Sequence, residues 1–334
     1  MALGQGFQGI FGVKKESVYG TAVAVTEAIP FISESFDDEL EKHEDEVLRG
    51  KAGKGESLEG NRRFPFTLPC KLTYEDVDLL IAIKMGAAGV PVVNGALFDN
   101  TYSLAENLAY SLTGAAYKGV SVWEYAGIMI DTMKISGEAN KPLNIEFGGV
   151  AKALDRASVI NTAVILQALD TEDVARKIMF SDLEFKIAPQ ATALLGETEK
   201  GINSFDLNSN NNLQLDGFDN RELLILKPER NGNRDVKLNF KIPRYEADTY
   251  IDWKNSGARL HAYLKFTYGS YKFDIHIPRL KIDKATAPIA GPGLIEQNIE
   301  CTCFRDPGSL SASFTCTDEY EIAVTNARSV SPLA

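Results

Sequence analysis

Alternation of apolar and polar positions is the strongest signal along the chain. In VKLNFKIPRY, residues 236–245, Val236, Leu238, Phe240 and Ile242 fall on one face and Lys237, Asn239 and Lys241 on the other, as a half-buried strand requires. RFPFTLPCKL (63–72), SVWEYAGIMIDTMKISGE (121–138), KPLNIEFGGVAKAL (141–154) and DLEFKIA (182–188) read as strands too, with a turn at 137–140. So do 258–283, broken by the turn at Tyr268-Gly269-Ser270, and the segments 294–306 and 309–326. Residues 22–32 are β-branched but carry Pro30, which predicts an edge strand.

Helical spacing occurs in few places. In TYEDVDLLIAIKMGAAG, residues 73–89, Val77, Leu80, Ile81 and Met85 recur on one face. Thr73 is placed to cap that helix with Asp76 three residues on, and Gly86 to end it. A second helix is predicted over 247–257. Residues 34–63 are dense in charge, and the pattern allows a helix from Asp38 to Leu48 with little to bury. This stretch reads either as a solvated excursion or as an extended loop that touches a partner, because long loops are often functional.

Two segments resemble each other. GNRRFPFTLPCKLTYEDVDLLIAI begins at Gly60 and GNRDVKLNFKIPRYEADTYIDWKN at Gly232. Each runs Gly-Asn-Arg, strand, proline, aromatic, acidic helix start. A repeat at about half the chain length implies two copies of one β-rich unit. The expected organisation is an arm over 1–15, a first module over 16–181 carrying the charged loop 34–62, and a second module over 182–334. In place of that loop the second copy has an Asn-rich insertion, 204–220.

Composition narrows the chemistry. The chain has 334 residues and a formal net charge of −11. An acidic chain is a poor ligand for phosphate backbone. The first residues lack the charge and apolar core of a signal peptide, and no apolar run reaches the roughly 18 residues of a membrane span, so no membrane partner is expected. Without a secretory signal, Cys70, Cys301, Cys303 and Cys316 are expected as reduced thiols.

Candidate sites fail one by one. Gly50 to Gly55 resemble a phosphate loop, but Glu56 stands where a lysine should reach the phosphates. Asp206, Asn208 and Asn210 have calcium-loop spacing, but Asn211 and Gly217 occupy the positions of the turn glycine and the bidentate glutamate. His43-Glu44 lacks a second histidine. Cys301, Cys303 and Cys316 offer three zinc ligands without a fourth, and small core residues explain them better. His261 and His276 have no acid or nucleophile nearby in sequence. Tyr263, Phe266, Tyr268, Tyr271 and Phe273, interleaved with Lys265 and Lys272, could stack on single-stranded nucleic acid, but in an acidic chain they read as a packed sheet face. No catalytic residue, cofactor or metal is expected.

The opening of the ordered chain carries a different signal. Gly12, Glu16, Ser17, Tyr19, Gly20, Thr21 and Ala22, then Phe31-Ile32 and Glu34, resemble the entry segment of tail tube proteins of long-tailed, non-contractile bacteriophages. Asp216-Gly217, the strand opened by Gly232 to Arg234, and the closing EIAVTNAR with Asn326 are similar to that family as well. The resemblance implies a mainly β fold of tandem β-sandwich or barrel modules, each with a flanking helix. It implies no enzyme but a structural subunit of the virion tail, made in the host bacterial cytoplasm. Its partners would be copies of itself in a closed ring, a trimer if each chain supplies two modules and a hexamer if one. Rings would stack into a tube through which DNA passes. Other tail proteins would meet the tube ends, and tape measure protein and DNA would lie in the lumen without specific binding. Phe7 and Phe11 of the arm, with Glu39, Lys42, Glu44, Arg49 and Lys54 of the loop, are the expected contacts between rings. Gly20 and Thr21 are expected to shape a turn. The alternatives are a tail terminator, a distal tail adaptor or an inner tube component on the same barrel, or a β-sandwich carbohydrate-binding module.

Overall fold

A computed structural model of the chain describes residues 4–44, 56–169, 176–220, 222–289 and 291–334. Its strands in the first half are β1 (Ile10–Lys15), β2 (Glu27–Ala28), β3 (Ser35–Phe36), β4 (Glu39–His43), β5 (Leu58–Lys71), β6 (Gly86–Ala88), β7 (Val92–Asn94), β8 (Leu97–Leu104), β9 (Leu112–Tyr117), β10 (Val122–Glu138), β11 (Asn144–Ala151) and β12 (Ala153–Asp155). The second half adds β13 (Leu183–Pro189), β14 (Ser204–Asn210), β15 (Asp235–Ile242), β16 (Leu260–Tyr268), β17 (Tyr271–Thr286), β18 (Gln297–Cys303) and β19 (Glu321–Asn326). The helices are α1 (Asp78–Met85), α2 (Ala163–Gln167) and α3 (Thr249–Ser256). The fold is mainly β with flanking helices, as the alternation implies.

One set of antiparallel pairings occurs twice. In the first half β1 pairs β9, β9 pairs β10, β10 pairs β11 and β12, β11 pairs β5, and β5 pairs β3. In the second half β13 pairs β16, β16 pairs β17, β17 pairs β18 and β19, β18 pairs β15, and β15 pairs β14. The Gly60 and Gly232 segments fall on β5 and β15, which take equivalent neighbours. Both long strands bulge at an aspartate. The register of β10 against β11 slips at Asp131, and that of β17 against β18 slips at Asp283. A bulge bends a strand. Each of these strands accordingly serves one set of neighbours with its first part and another with its last.

Two ladders cross between the halves. Thr132 to Glu138 of β10 pair with Asn210 to Ser204 of β14, and β19 pairs with β8. Beneath the sheets lies one continuous core. Phe36 stacks on Phe66, Tyr125 and Phe11 at one end, and Phe185 on Phe240 and Phe205 on Phe266 line the other. All eight residues of α1 are buried, Asp78 and Lys84 included.

Several expectations are corrected. Residues 39–43 are strand, not helix. Leu40 is the one apolar residue there, too little for a helical stripe, and the extended start of β5 offers a backbone to pair with. The predicted edge strand over 22–32 is ordered as strand only at Glu27–Ala28, with a lone bridge from Phe31 to Cys70. Thr73 accepts the Asp76 N–H at 3.1 Å, but this holds a turn, and α1 begins at Asp78 with Val77 at its N-cap. Gly86 ends α1 with φ +84° as expected. Only Glu321–Asn326 of the 309–326 segment is strand. In the rest Ser311 Oγ accepts the amides of Ser313 and Phe314, local bonds that compete with a ladder.

Gly149 sits across from the β10 bulge, where an added Cβ would lie 2.0 Å from the Met129 carbonyl oxygen. That atom is backbone and can yield only by opening the ladder. Gly149→Ala is expected to cost about 1–3 kcal/mol, read as a lower urea midpoint at unchanged m-value.

Candidate assembly site

The entry segment is organised by one buried carboxylate. Glu16 is 4% exposed. Its Oε2 accepts the Gly20 amide at 2.9 Å and the Ser111 hydroxyl at 2.6 Å, and its Oε1 accepts the Thr113 hydroxyl at 2.9 Å and the Gly127 amide at 2.8 Å. One side chain thus joins the turn after β1 to β9 and to β10. Gly20 and Gly127 have φ of +73° and +71°, and a Cβ on Gly20 would meet the Lys152 side chain at 2.7 Å. The spacing Glu16 to Gly20 in the family-like motif is therefore the spacing of a carboxylate to the turn amide it holds. Thr21 donates its amide to the Val18 carbonyl at 3.0 Å and closes the same turn.

The arm and the loop occupy the surface unevenly. Phe7 lies in a short 3-10 turn, Gly6–Gln8, and is 84% exposed. Phe11 is 1% exposed and packs on Phe31 and Phe36, so its ring faces the subunit's own core and not a neighbour. Glu39 binds Arg63 at 2.6 Å across the β4–β5 ribbon, beside the bidentate Arg62–Asp38 pair. Lys42 lies opposite Glu59 on that ribbon, and Glu44 follows it on the exposed side. Arg49 and Lys54, with the glycine-rich stretch 50–55, fall outside the described residues. The ribbon is mostly exposed. A lone two-stranded ribbon is marginal in water and gains by packing on something else.

At the other end of the chain Asn326 is fully buried and donates to the Tyr74 carbonyl at 2.9 Å and to Asp78 Oδ2 at 2.6 Å, and it accepts from Asn100 at 3.0 Å. Arg328 stands 3.4 Å from Asp78 and pairs with Glu27 at 2.6 Å. Burial pushes the Asp78 carboxyl up to about 7, against the pull of Arg328 and Asn326. The closing motif thus ties β19 to α1, β8 and the strand after the arm. Sequence reasoning singled out Asn326 without its role and missed Asp78 and Lys84, whose helix showed only an apolar stripe.

Nothing in the described residues is arranged for chemistry. Cys301 and Cys303 are core residues of β18, and burial raises both thiols well above their ordinary range. Cys316 is pushed up to about 12, also by burial. No cluster of three or more His, Cys, Asp or Glu side chains suits a metal among the described residues. His261 meets Ser311 Oγ at 2.8 Å but is fully buried, and burial holds its imidazole below the usual range. Ser311 is occupied with its turn, so this pair is structural. His276 stacks on Phe314 and faces Glu321 at 3.4 Å. Asp206, Asn208 and Asn210 lie on β14, where Asn208 and Asn239 both donate to Asp206, and no loop surrounds a cation. The aromatic band is split between faces: Phe266 and Phe273 point into the core, Tyr263 and Tyr271 are half-buried, and Tyr268 is exposed with Arg176 over its ring, so they form no continuous stacking platform.

What the surface offers is assembly. Among the described residues, β17 beyond Leu280 pairs only with β18, and segment 36–39 pairs only with β5. Edges of this kind are completed by another chain or must be covered. A family model described as phage tail tube protein matches residues 6–303. No curated protein matches the chain. A match of that extent, on a β fold with open edges, settles the assignment: the chain belongs to the phage tail tube protein family, and it is a structural subunit that self-assembles into the tail tube.

Proposed function

We propose that three chains close one ring of the tube, each filling two positions of a quasi-six-fold circle with one module over 16–181, to which the end of the arm adds β1, and another over 182–334. The observation that carries this reading is the doubled set of strand pairings. Two equivalent sheets per chain supply six to a ring from three copies, and closed rotation is the usual outcome of such assembly. Rings stack through the part of the arm, 1–15, that precedes β1 and through the ribbon within 34–62, with Phe7, Lys42 and Glu44 on the contacting surface and Arg49 and Lys54 proposed as further contacts from the sequence alone. The exposed ring of Phe7 and the exposed outer part of the ribbon, beyond the base that Leu215 and Leu223 hold through Arg63 and Arg62, support that role. DNA and tape measure protein occupy the lumen without specific binding, and the excess of Asp and Glu over Lys and Arg, 46 against 35, favours a wall that repels phosphate. The subunit is made in the host cytoplasm and meets other tail proteins at the tube ends.

Native mass of the isolated ring tests the stoichiometry, with three chains expected and six overturning it. Replacing residues 40–59 by a two-glycine turn tests the stacking. Single rings of normal mass that no longer form filaments are expected in electron micrographs. Filaments of wild-type length from that variant would remove the ribbon from the contact.

A further inference from the structure

The ladder joining the two halves inside the chain is a template for the ladder between chains. Within the chain, the last part of β10 pairs with β14, with Thr132 opposite Asn210, Met133 opposite Ser209, Lys134 opposite Asn208 and Ile135 opposite Leu207. Asp131 seals its end. Its carbonyl accepts the Asn211 amide at 3.0 Å and its carboxylate the Leu213 amide at 2.9 Å.

Both strands of this ladder have counterparts with free edges. The bulge at Asp283 matches that at Asp131, and the pair Lys284–Glu300 matches Thr132–Gly148, so Lys284 to Ala287 stand where Thr132 to Ile135 stand. The Gly60 and Gly232 segments align Phe66 with Leu238. Their partners are then Phe36 and Leu207, and likewise Glu39 and Asn210, so residues 36–39 stand where 207–210 stand. Among the described residues of the single chain these counterparts have no partner strand on that side. Asp37 donates its amide to the Pro65 carbonyl at 3.0 Å, so alternation turns the amides of Phe36 and Asp38 away from β5. There they meet only carboxylates of their own segment, Glu34 at 3.2 Å and Asp37 at 2.8 Å. Asp283 is exposed, whereas its counterpart Asp131 is 6% exposed. The charges are opposite as well. One edge carries Glu34, Asp37, Asp38 and Glu39, and the other Arg279, Lys281 and Lys284 against the single acid Asp283.

We propose that residues 284–287 of β17 pair antiparallel with residues 36–39 of a second copy. Lys284 then faces Glu39, Ala285 faces Asp38, Thr286 faces Asp37 and Ala287 faces Phe36. This specifies the in-ring contact of the reading above and rests on it. Pro288 has no N–H to continue the ladder, which limits it to a short run. The two edges differ, so each chain binds one neighbour with β17 and the other with its first half, as a ring requires. Glu39, at the base of the ribbon, belongs to this seam, and the ribbon beyond it to stacking.

Thr286 and Asp37 fall at a pair without backbone bonds, where Cα atoms approach to about 4.5 Å, within disulfide reach. In a Cys316→Ser background, oxidised rings of Thr286→Cys, Asp37→Cys are expected to run on a non-reducing gel as linked species up to the full ring. Thr286→Cys with Asp38→Cys, whose side chain lies on the other face, is expected to stay monomeric on that gel. Lys284→Glu or Glu39→Lys alone is expected to lower ring yield at least tenfold while shifting the melting of the monomer only by the small cost of an exposed pair, to Glu300 or to Arg63, and the double exchange is expected to restore the yield. Tubes that form normally yet leave the 286/37 pair unlinked, or link both pairs alike, overturn this register and leave the ring reading standing. A wild-type chain that never associates, even when seeded with tail ends, overturns both.

Discussion

Glu16→Ala is expected to lower the unfolding free energy by about 2–4 kcal/mol, because it strands the buried Gly127 amide at about 1–3 kcal/mol and takes its bond from the half-buried Gly20 amide at about 1 kcal/mol. The amides of Gly20 and Gly127 are the ones that matter. The Ser111 and Thr113 hydroxyls can rotate to other acceptors, but both glycines are held at positive φ and their N–H vectors are fixed. Glu16→Gln keeps one acceptor oxygen and turns an NH₂ toward two of the four donors, so it should lose most of the stability that alanine loses. Equilibrium denaturation of the two variants measures this. Alanine within about 0.5 kcal/mol of wild type, the range of an ordinary surface change, would mean that water or the backbone replaces the carboxylate and that the motif has another purpose.

Glu16 also shows where sequence reading stops. The motif placed Glu16, Gly20 and Thr21 together, and the turn was expected. The reason for the glutamate lies in Ser111, Thr113 and Gly127, about a hundred residues away, and no local pattern names them. The same division holds across the fold. Strands with clean alternation, such as 236–242, were legible because one face is buried and the other wet. Residues 39–43 were not, because their conformation comes from the extended partner at 58–63 and not from their own spacing. Phe11 follows an arm of glycines and reads as an outward contact, yet Phe31 and Phe36 close over it. The likeness of the Gly60 and Gly232 segments was visible in the letters. Its structural meaning, equivalent ladders on β5 and β15 and two edges that match across copies, requires the pairing register.

Lys84 should make stability rise between about pH 7 and pH 10. It is fully buried on α1, with its ammonium donating to Ser209 Oγ at 3.0 Å. Lys84 lies seven residues after Val77 and three after Ile81, on the side of the apolar stripe, where Ser209 of β14 meets it from the other half of the chain. Burial holds its pKa down at about 7, helped by Arg234 and Arg230 and opposed by Asp131 and Glu319. In the unfolded chain the amine titrates near its ordinary value of about 10.4. Between those values the unfolded chain keeps a proton that the folded chain has shed, so raising the pH favours the fold, by up to about 1.4 kcal/mol per unit. Below pH 7 both states hold the proton and the desolvation cost is borne in full. Asp78 works with the opposite sign. Its folded pKa is raised to about 7, so its contribution falls as pH climbs from about 4 to 7. Other groups add to the total, so the informative quantity is the difference from Lys84→Met, which fills the same space without a charge. That variant is expected to be the more stable at pH 7, since a buried ion replaced by a packed apolar chain is often neutral or stabilising. Its advantage should shrink steadily toward pH 10 as wild-type Lys84 becomes neutral. Paired urea titrations at pH 7, 8.5 and 10 read the gap directly, and a gap that stays constant over that range would show that Lys84 enters the folded chain with its charge retained and compensated.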